Sequence, residues 1–254
     1  MSAPLVSSEA PVARLSGELR YGLELARLLA DVDFRRPARS PGAPPVLLVP
    51  GFMAGDGSLS VLAGWLRRRG SRTSGAGMLL NTDCAERAVE KLEGRLRRLR
   101  TRRGERVVVI GQSRGGELGR VLALRNADLV STLVMLGSPV LGPLNVGAGV
   151  LSAVRSVARL GDAGVPGMFS SECGKGECCA EFRGDLHARI PQSVRAVSMY
   201  SRSDAIVSFQ SCLDPYAEHV EVRSSHTGMS VNVEVYRVLA RILDEAAHPQ
   251  RMAA

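Results

Sequence analysis

The sequence predicts an α/β protein built on a mostly parallel sheet of about six strands flanked by helices. Three observations carry that reading. Short, largely β-branched apolar runs occur at Val46–Val49, Val107–Ile110, Val130–Leu136 and Val194–Tyr200, the pattern of strands buried on both faces. Stretches of helical periodicity separate them, which is the βαβ rhythm of a parallel sheet. At 254 residues and 45% apolar, the chain can bury one large core.

Taken in order, residues 1–11 read as disordered. A helix is expected over Leu15–Leu29, with Leu15, Leu19, Leu23, Ala26 and Leu29 as its apolar stripe, packed on the outside of the domain. Arg35–Pro45, rich in Pro, Arg and Gly, reads as a linker, so the chain divides into 1–45 and a main domain over 46–254. Val46–Val49 is the first strand. Leu59–Arg69 is an amphipathic helix, and residues 72–80 form a second strand ending in Met78-Leu79-Leu80. Asp83–Arg100 is a strong helix with Val89, Leu92, Leu96 and Leu99 on one side. After the strand at 107–110 comes a helix over Glu117–Arg125, then the strand Val130–Leu136 ending in Gly137-Ser138-Pro139. Residues 140–190 break the rhythm and read as an insertion. The strand Val194–Tyr200, a strand over Glu218–Arg223 and a helix from about Ser230 to Ala246 close the chain.

The formal net charge is +8, but Lys91 and Lys175 are the only lysines and the arginines are spread over several helices. With 4% aromatic residues and no basic–aromatic interleaving, this is a solvated basic surface and not a nucleic-acid site. No window approaches the roughly 18 apolar residues that cross a bilayer. Met1–Pro11 lacks the charged and apolar regions of a secretory signal, so a cytoplasmic location is expected. The five cysteines, Cys84, Cys173, Cys178, Cys179 and Cys212, then read as mostly free thiols. Cys173-x4-Cys178-Cys179 with His187 matches no strong zinc spacing. Structural thiols are expected instead of a metal, with a redox-dependent disulfide in the loop or to Cys212 as the lesser option.

The chemistry-bearing stretch is Gly111-Gln112-Ser113-Arg114-Gly115. It follows a buried strand and opens a helix. Such a turn strains the backbone at the serine, and glycines two residues to either side let strand and helix pass closely. This resembles the nucleophile elbow of the α/β-hydrolases, bacterial lipases and esterases in particular. The resemblance spans about residues 46–246. It implies that the usual first two antiparallel strands are absent here, and that 140–190 is a lid or cap with an apolar inner face.

The resemblance also implies a site. Ser113 is the nucleophile. The chain order Ser, Asp/Glu, His points to an acid past the next strand and a histidine before the last helix. Asp204, in Asp204-Ala205-Ile206-Val207, lies just beyond a strand C-terminus and is preferred over Asp185 and Asp214. His226 is preferred over His187, His219 and His248. The main-chain N–H groups of Phe52, in Pro50-Gly51-Phe52, and Arg114 would form the oxyanion hole. Proline stands where the lipase pattern has histidine, which leaves the donor in place. The expected activity is carboxylic ester hydrolysis through an acyl-enzyme, with no cofactor or metal. The expected substrate is a small-molecule ester or acyl compound, with lipids among the options. Acyl transfer or thioester hydrolysis by the same residues, and a catalytically silent binding fold, remain open, and the sequence does not address oligomeric state.

Overall fold

The computed structural model describes residues 20–101 and 105–247. Residues 1–11, His248 and the stripe positions Leu15 and Leu19 lie outside them.

Six strands form one sheet, β1 (Val46–Val49), β2 (Thr73–Gly75), β3 (Val107–Gln112), β4 (Val130–Leu136), β5 (Arg195–Tyr200) and β6 (Glu218–Glu221), in the order β2-β1-β3-β4-β5-β6. Every pairing is parallel. No antiparallel pair precedes β1 among the described residues. Helices α1 (Arg20–Ala30), α2 (Val32–Arg35), α3 (Ser60–Arg69), α4 (Ala85–Thr101), α5 (Arg114–Arg125), α6 (Ala148–Asp162), α7 (Glu172–Lys175), α8 (Ala180–His187) and α9 (Val233–Ala247) flank it.

The sheet divides the core in two. On one face Leu47, Val107, Val109 and Leu133 meet Val89, Leu92, Leu96 and Leu99 of α4, with Leu118 and Leu122 of α5. On the other, Leu48, Val108 and Ile110 meet Leu62, Trp65 and Leu66 of α3 and Val235, Leu239 and Leu243 of α9. Successive strand residues point to opposite faces, so the unbroken apolar runs are what two covered faces require.

Two expectations need correction. The strand over 72–80 shrinks to Thr73–Gly75, and Leu79 and Leu80 are exposed. The Asp56 carboxylate accepts from the Gly77 and Met78 N–H groups, and Gly77 takes φ +74°. Both turn the chain away from the sheet. The face of α1 is also different. Leu23, Ala26 and Leu29 are exposed, while Glu24 and Leu28 are buried. Glu24 and Leu28 face the domain and Leu23, Ala26 and Leu29 face solvent, so counting apolar residues places the helix on the wrong side.

Candidate active site

Ser113 follows β3 with φ 53° and ψ −126°, a region that costs a residue with a side chain about 1–3 kcal/mol. The neighbours enforce it. The Ser113 N–H donates to the Leu136 carbonyl at 2.8 Å, and the Gly116 N–H donates back to Ser113 O at 2.8 Å. A Cβ on Gly111 would stand 2.3 Å from Gly115 O, and one on Gly115 would stand 2.2 Å from Val49 O, so both positions exclude a side chain.

The loops after β5 and β6 bring Asp204 and His226 together. His226 Nδ1 and Asp204 Oδ2 are 2.7 Å apart, and both side chains are almost fully buried. The other oxygen, Asp204 Oδ1, accepts from the Ile206 and Val207 N–H groups at 2.8 Å each. The carboxylate is therefore fixed by its own loop and aimed at one ring nitrogen, which orients an imidazole. Three of the rival residues are engaged elsewhere, while His187 lines the cleft that opens at Ser113. Asp214 forms a buried ion pair with Arg120 at 2.7 Å, Asp185 pairs with Arg125, and His219 Nε2 lies 2.8 Å from Asp214 O.

The histidine loop is joined to the serine turn by Gln112, whose Nε2 donates to His226 O at 3.0 Å. It is joined to the acid loop by Ser201, whose hydroxyl donates to Ser224 O at 2.8 Å. Gly137, at φ +58°, completes the junction: a Cβ there would lie 3.2 Å from His226 Nδ1.

Glu24 also holds this loop. Its carboxylate reaches from α1 to accept from Ser224 Oγ at 2.5 Å, the Ser225 N–H at 2.8 Å and Asn232 Nδ2 at 3.0 Å. Sequence reading passed over Glu24. The only available signal was its i, i+1, i+4 spacing with Leu25 and Leu28, and a charge at such a position is ordinarily solvated.

The loop after β1 lies on the other side of Ser113. Among the described residues, neither the Phe52 nor the Arg114 main-chain N–H donates to a backbone acceptor, whereas Met53 N–H and Ala54 N–H do. Asn81, also missed from the sequence, ties this loop to the serine turn. Its Nδ2 donates to Pro50 O at 2.8 Å, and its backbone and side-chain oxygens both accept from the Arg114 guanidinium. Arg114 donates further to Asp83 O at 2.6 Å and lies over the Phe169 ring. Burial lowers its pKa.

A cleft of about 420 Å³ opens at Ser113, Phe52 and Arg114, and Leu144, Val150 and Phe182 of the 140–190 segment also line it. Phe169 from the same segment packs on Phe52 and donates its N–H to Thr82 O at 2.7 Å. Glu117 also lines this cleft. Burial raises its carboxyl pKa to about 7, against the opposing pull of Arg114. The walls are mostly apolar with a hydroxyl at one end, an arrangement suited to an acyl chain.

No family model matches this sequence, and no curated protein matches it. Solved structures do. The mature form of a Bacillus licheniformis lipase superposes with TM-score 0.61 at 15% identity, covering 82% of this chain and 94% of that one. An α/β hydrolase from the metagenome of Mar Chica lagoon sediments gives 0.56 at 17%, covering 82% and 93%. A thermophilic esterase from Thermogutta terrifontis gives 0.55 at 16%, covering 83% and 92%. With the six-stranded parallel sheet and its flanking helices, these likenesses show that the chain has the α/β-hydrolase fold. Among the described residues, no helix is long and apolar enough to cross a membrane.

Proposed function

We propose that the protein is a serine hydrolase of carboxylic esters, lipase- or esterase-like, acting through Ser113, His226 and Asp204. The observation that carries the reading is the buried 2.7 Å contact between His226 Nδ1 and Asp204 Oδ2, on a loop bonded to the residue preceding a strained serine. In this reading His226 Nε2 takes the Ser113 proton as Oγ attacks the acyl carbon, and Asp204 stabilises the imidazolium that forms. The Phe52 and Arg114 N–H groups bind the oxyanion. His226 then protonates the leaving alcohol, and water, deprotonated by His226, releases the acid from the acyl-enzyme. Segment 140–190 serves as a cap whose apolar wall receives the acyl part, which favours esters of apolar acids, lipids among them. No metal or cofactor takes part in these steps. The structural relatives named a lipase and an esterase support the same class.

The test is labelling with a fluorophosphonate and hydrolysis of a chromogenic ester series. Labelling of the wild type but not of Ser113→Ala, with ester turnover, is expected. Folded wild type that neither labels nor turns over esters would overturn the reading in favour of a binding protein. Faster transfer to alcohol or thiol acceptors than to water would reassign it as an acyltransferase.

A further inference from the structure

The fold gathers four of the five cysteines. Cys84, in the residue before α4, meets Cys173 of α7 and Cys178 and Cys179 of the turn after it. Their sulfur atoms all lie within 4.8 Å of one another. Cys84 and Cys179 are 3.3 Å apart, Cys173 and Cys178 3.6 Å, and Cys178 and Cys179 3.9 Å. Four thiolates on one tetrahedral ion, with metal–sulfur bonds of about 2.3 Å, stand about 3.8 Å from each other. The observed contacts bracket that spacing. They are too long for disulfide bonds at about 2.05 Å. They are also too close-set for a four-iron cluster, which carries each thiolate on a separate iron.

We propose that Cys84, Cys173, Cys178 and Cys179 form a mononuclear structural zinc site. The surroundings suit it. Arg183 holds the cysteine turn by donating to the carbonyls of Cys173 and Gly176. Binding Zn²⁺ displaces the four thiol protons and leaves a site of charge −2. Arg87 and Arg114 lie near enough to interact with Cys84 electrostatically and offset that charge. The site has no open ligand position, so its role is to fasten and not to catalyse. It fastens the segment carrying Phe169 and Phe182 to the start of α4, beside the Asn81–Asp83 stretch that grips Arg114.

This reverses the expectation drawn from spacing. Along the chain His187 is the nearest fourth ligand, and the fold supplies Cys84 from 89 residues upstream of Cys173 in its place. Cys212 stays apart from the cluster, packed with Val146 and Val207, so the lesser option of a disulfide to it does not fit this structure.

The proposal is independent of the ester chemistry, and its test reads metal. Elemental analysis of purified full-length protein, expressed with added zinc and dialysed, should give one zinc per chain. A mercurial that blocks thiols should release it, and cobalt exchanged into the site should show the intense absorption of tetrahedral thiolate coordination. Cys178→Ser, altering an exposed position, should lose its zinc to a chelator that leaves the wild type loaded. Cys212→Ser should retain it. Folded wild type without tightly held metal would overturn the proposal, whether its thiols are free or it lacks two hydrogens per disulfide by mass. So would iron in place of zinc, or equal metal loss from Cys178→Ser and Cys212→Ser.

Discussion

The two sides of the cleft are held by different means. Behind His226, one loop is bonded to Asp204, to Gln112, to Ser201 and, across 201 residues of sequence, to Glu24. Over Ser113, segment 140–190 presents apolar side chains to the cleft; Phe169 and Thr82 hydrogen bonds, aromatic contacts and the cysteine cluster hold it there, and the Arg125–Asp185 pair ties its far end to α5. Directional bonds to buried partners fix a ring to within the tolerance of a proton transfer. Apolar packing fixes volume but not angle, which suits a surface receiving chains of differing length. The difference teaches that the polar side should answer to mutation in turnover, and the apolar side in substrate choice.

The sharpest way to break that contrast lies at the serine. Ser113→Ala should lower ester turnover by at least about 10³-fold with an unchanged melting curve; activity that persists would move the chemistry elsewhere. Asp204→Asn, which keeps the shape but not the charge, should cost about 10³-fold or more in kcat, measured at saturating ester. Glu24→Ala leaves the Ser225 N–H without its acceptor and removes one of the two acceptors of Ser224 Oγ and of Asn232 Nδ2. It should cost about 2–4 kcal/mol of stability in urea and lower kcat more than it raises KM, with partial rescue in Glu24→Gln. If kcat holds in the folded variant, α1 supports the fold and does not position the ring.

Glu117 tests the apolar side by pH. Its folded pKa is about 7, above the ordinary 4.5. Between those values the unfolded chain loses its proton while the folded one keeps it, so stability falls as pH rises through that window. Above about 7 the full penalty, about 3 kcal/mol, remains. Glu117→Gln should flatten that fall and melt higher than wild type at pH 8; parallel pH–stability curves would count against a buried, neutral carboxyl. The smallest effect belongs to the wall. Val150→Trp should cut kcat/KM for long acyl esters about tenfold and leave acetate esters nearly unchanged. Equal losses across the series would mean that this wall does not contact the acyl chain.

Much of the architecture was legible because each central strand carries its own evidence. A β-branched run with no polar interruption has few places to go but between two covered faces. The strained serine was legible too, since a glycine pair flanking it has a steric reason to exist. Asp204 stood out from Asp185 and Asp214 by its place past the end of β5, and it is the carboxylate that meets His226. What was not legible depended on distant partners. Glu24 reads as a solvated charge until Ser225 is folded against it. Asn81 reads as a loop residue until Pro50 and Arg114 arrive. Cys84 reads as a lone thiol until α7 is laid beside it. Leu79 and Leu80 misled for the opposite reason: their local pattern says strand, and one carboxylate, Asp56, turns them out to solvent.

The reach of Glu24 to the loop before α9 has a consequence for biosynthesis. The acceptor leaves the ribosome some 200 residues before its three donors. A growing chain can therefore hold its serine turn with the imidazole still unmade or unanchored. On the proposed reading, ester turnover would begin only once the loop before α9 has been made and Glu24 has closed on it.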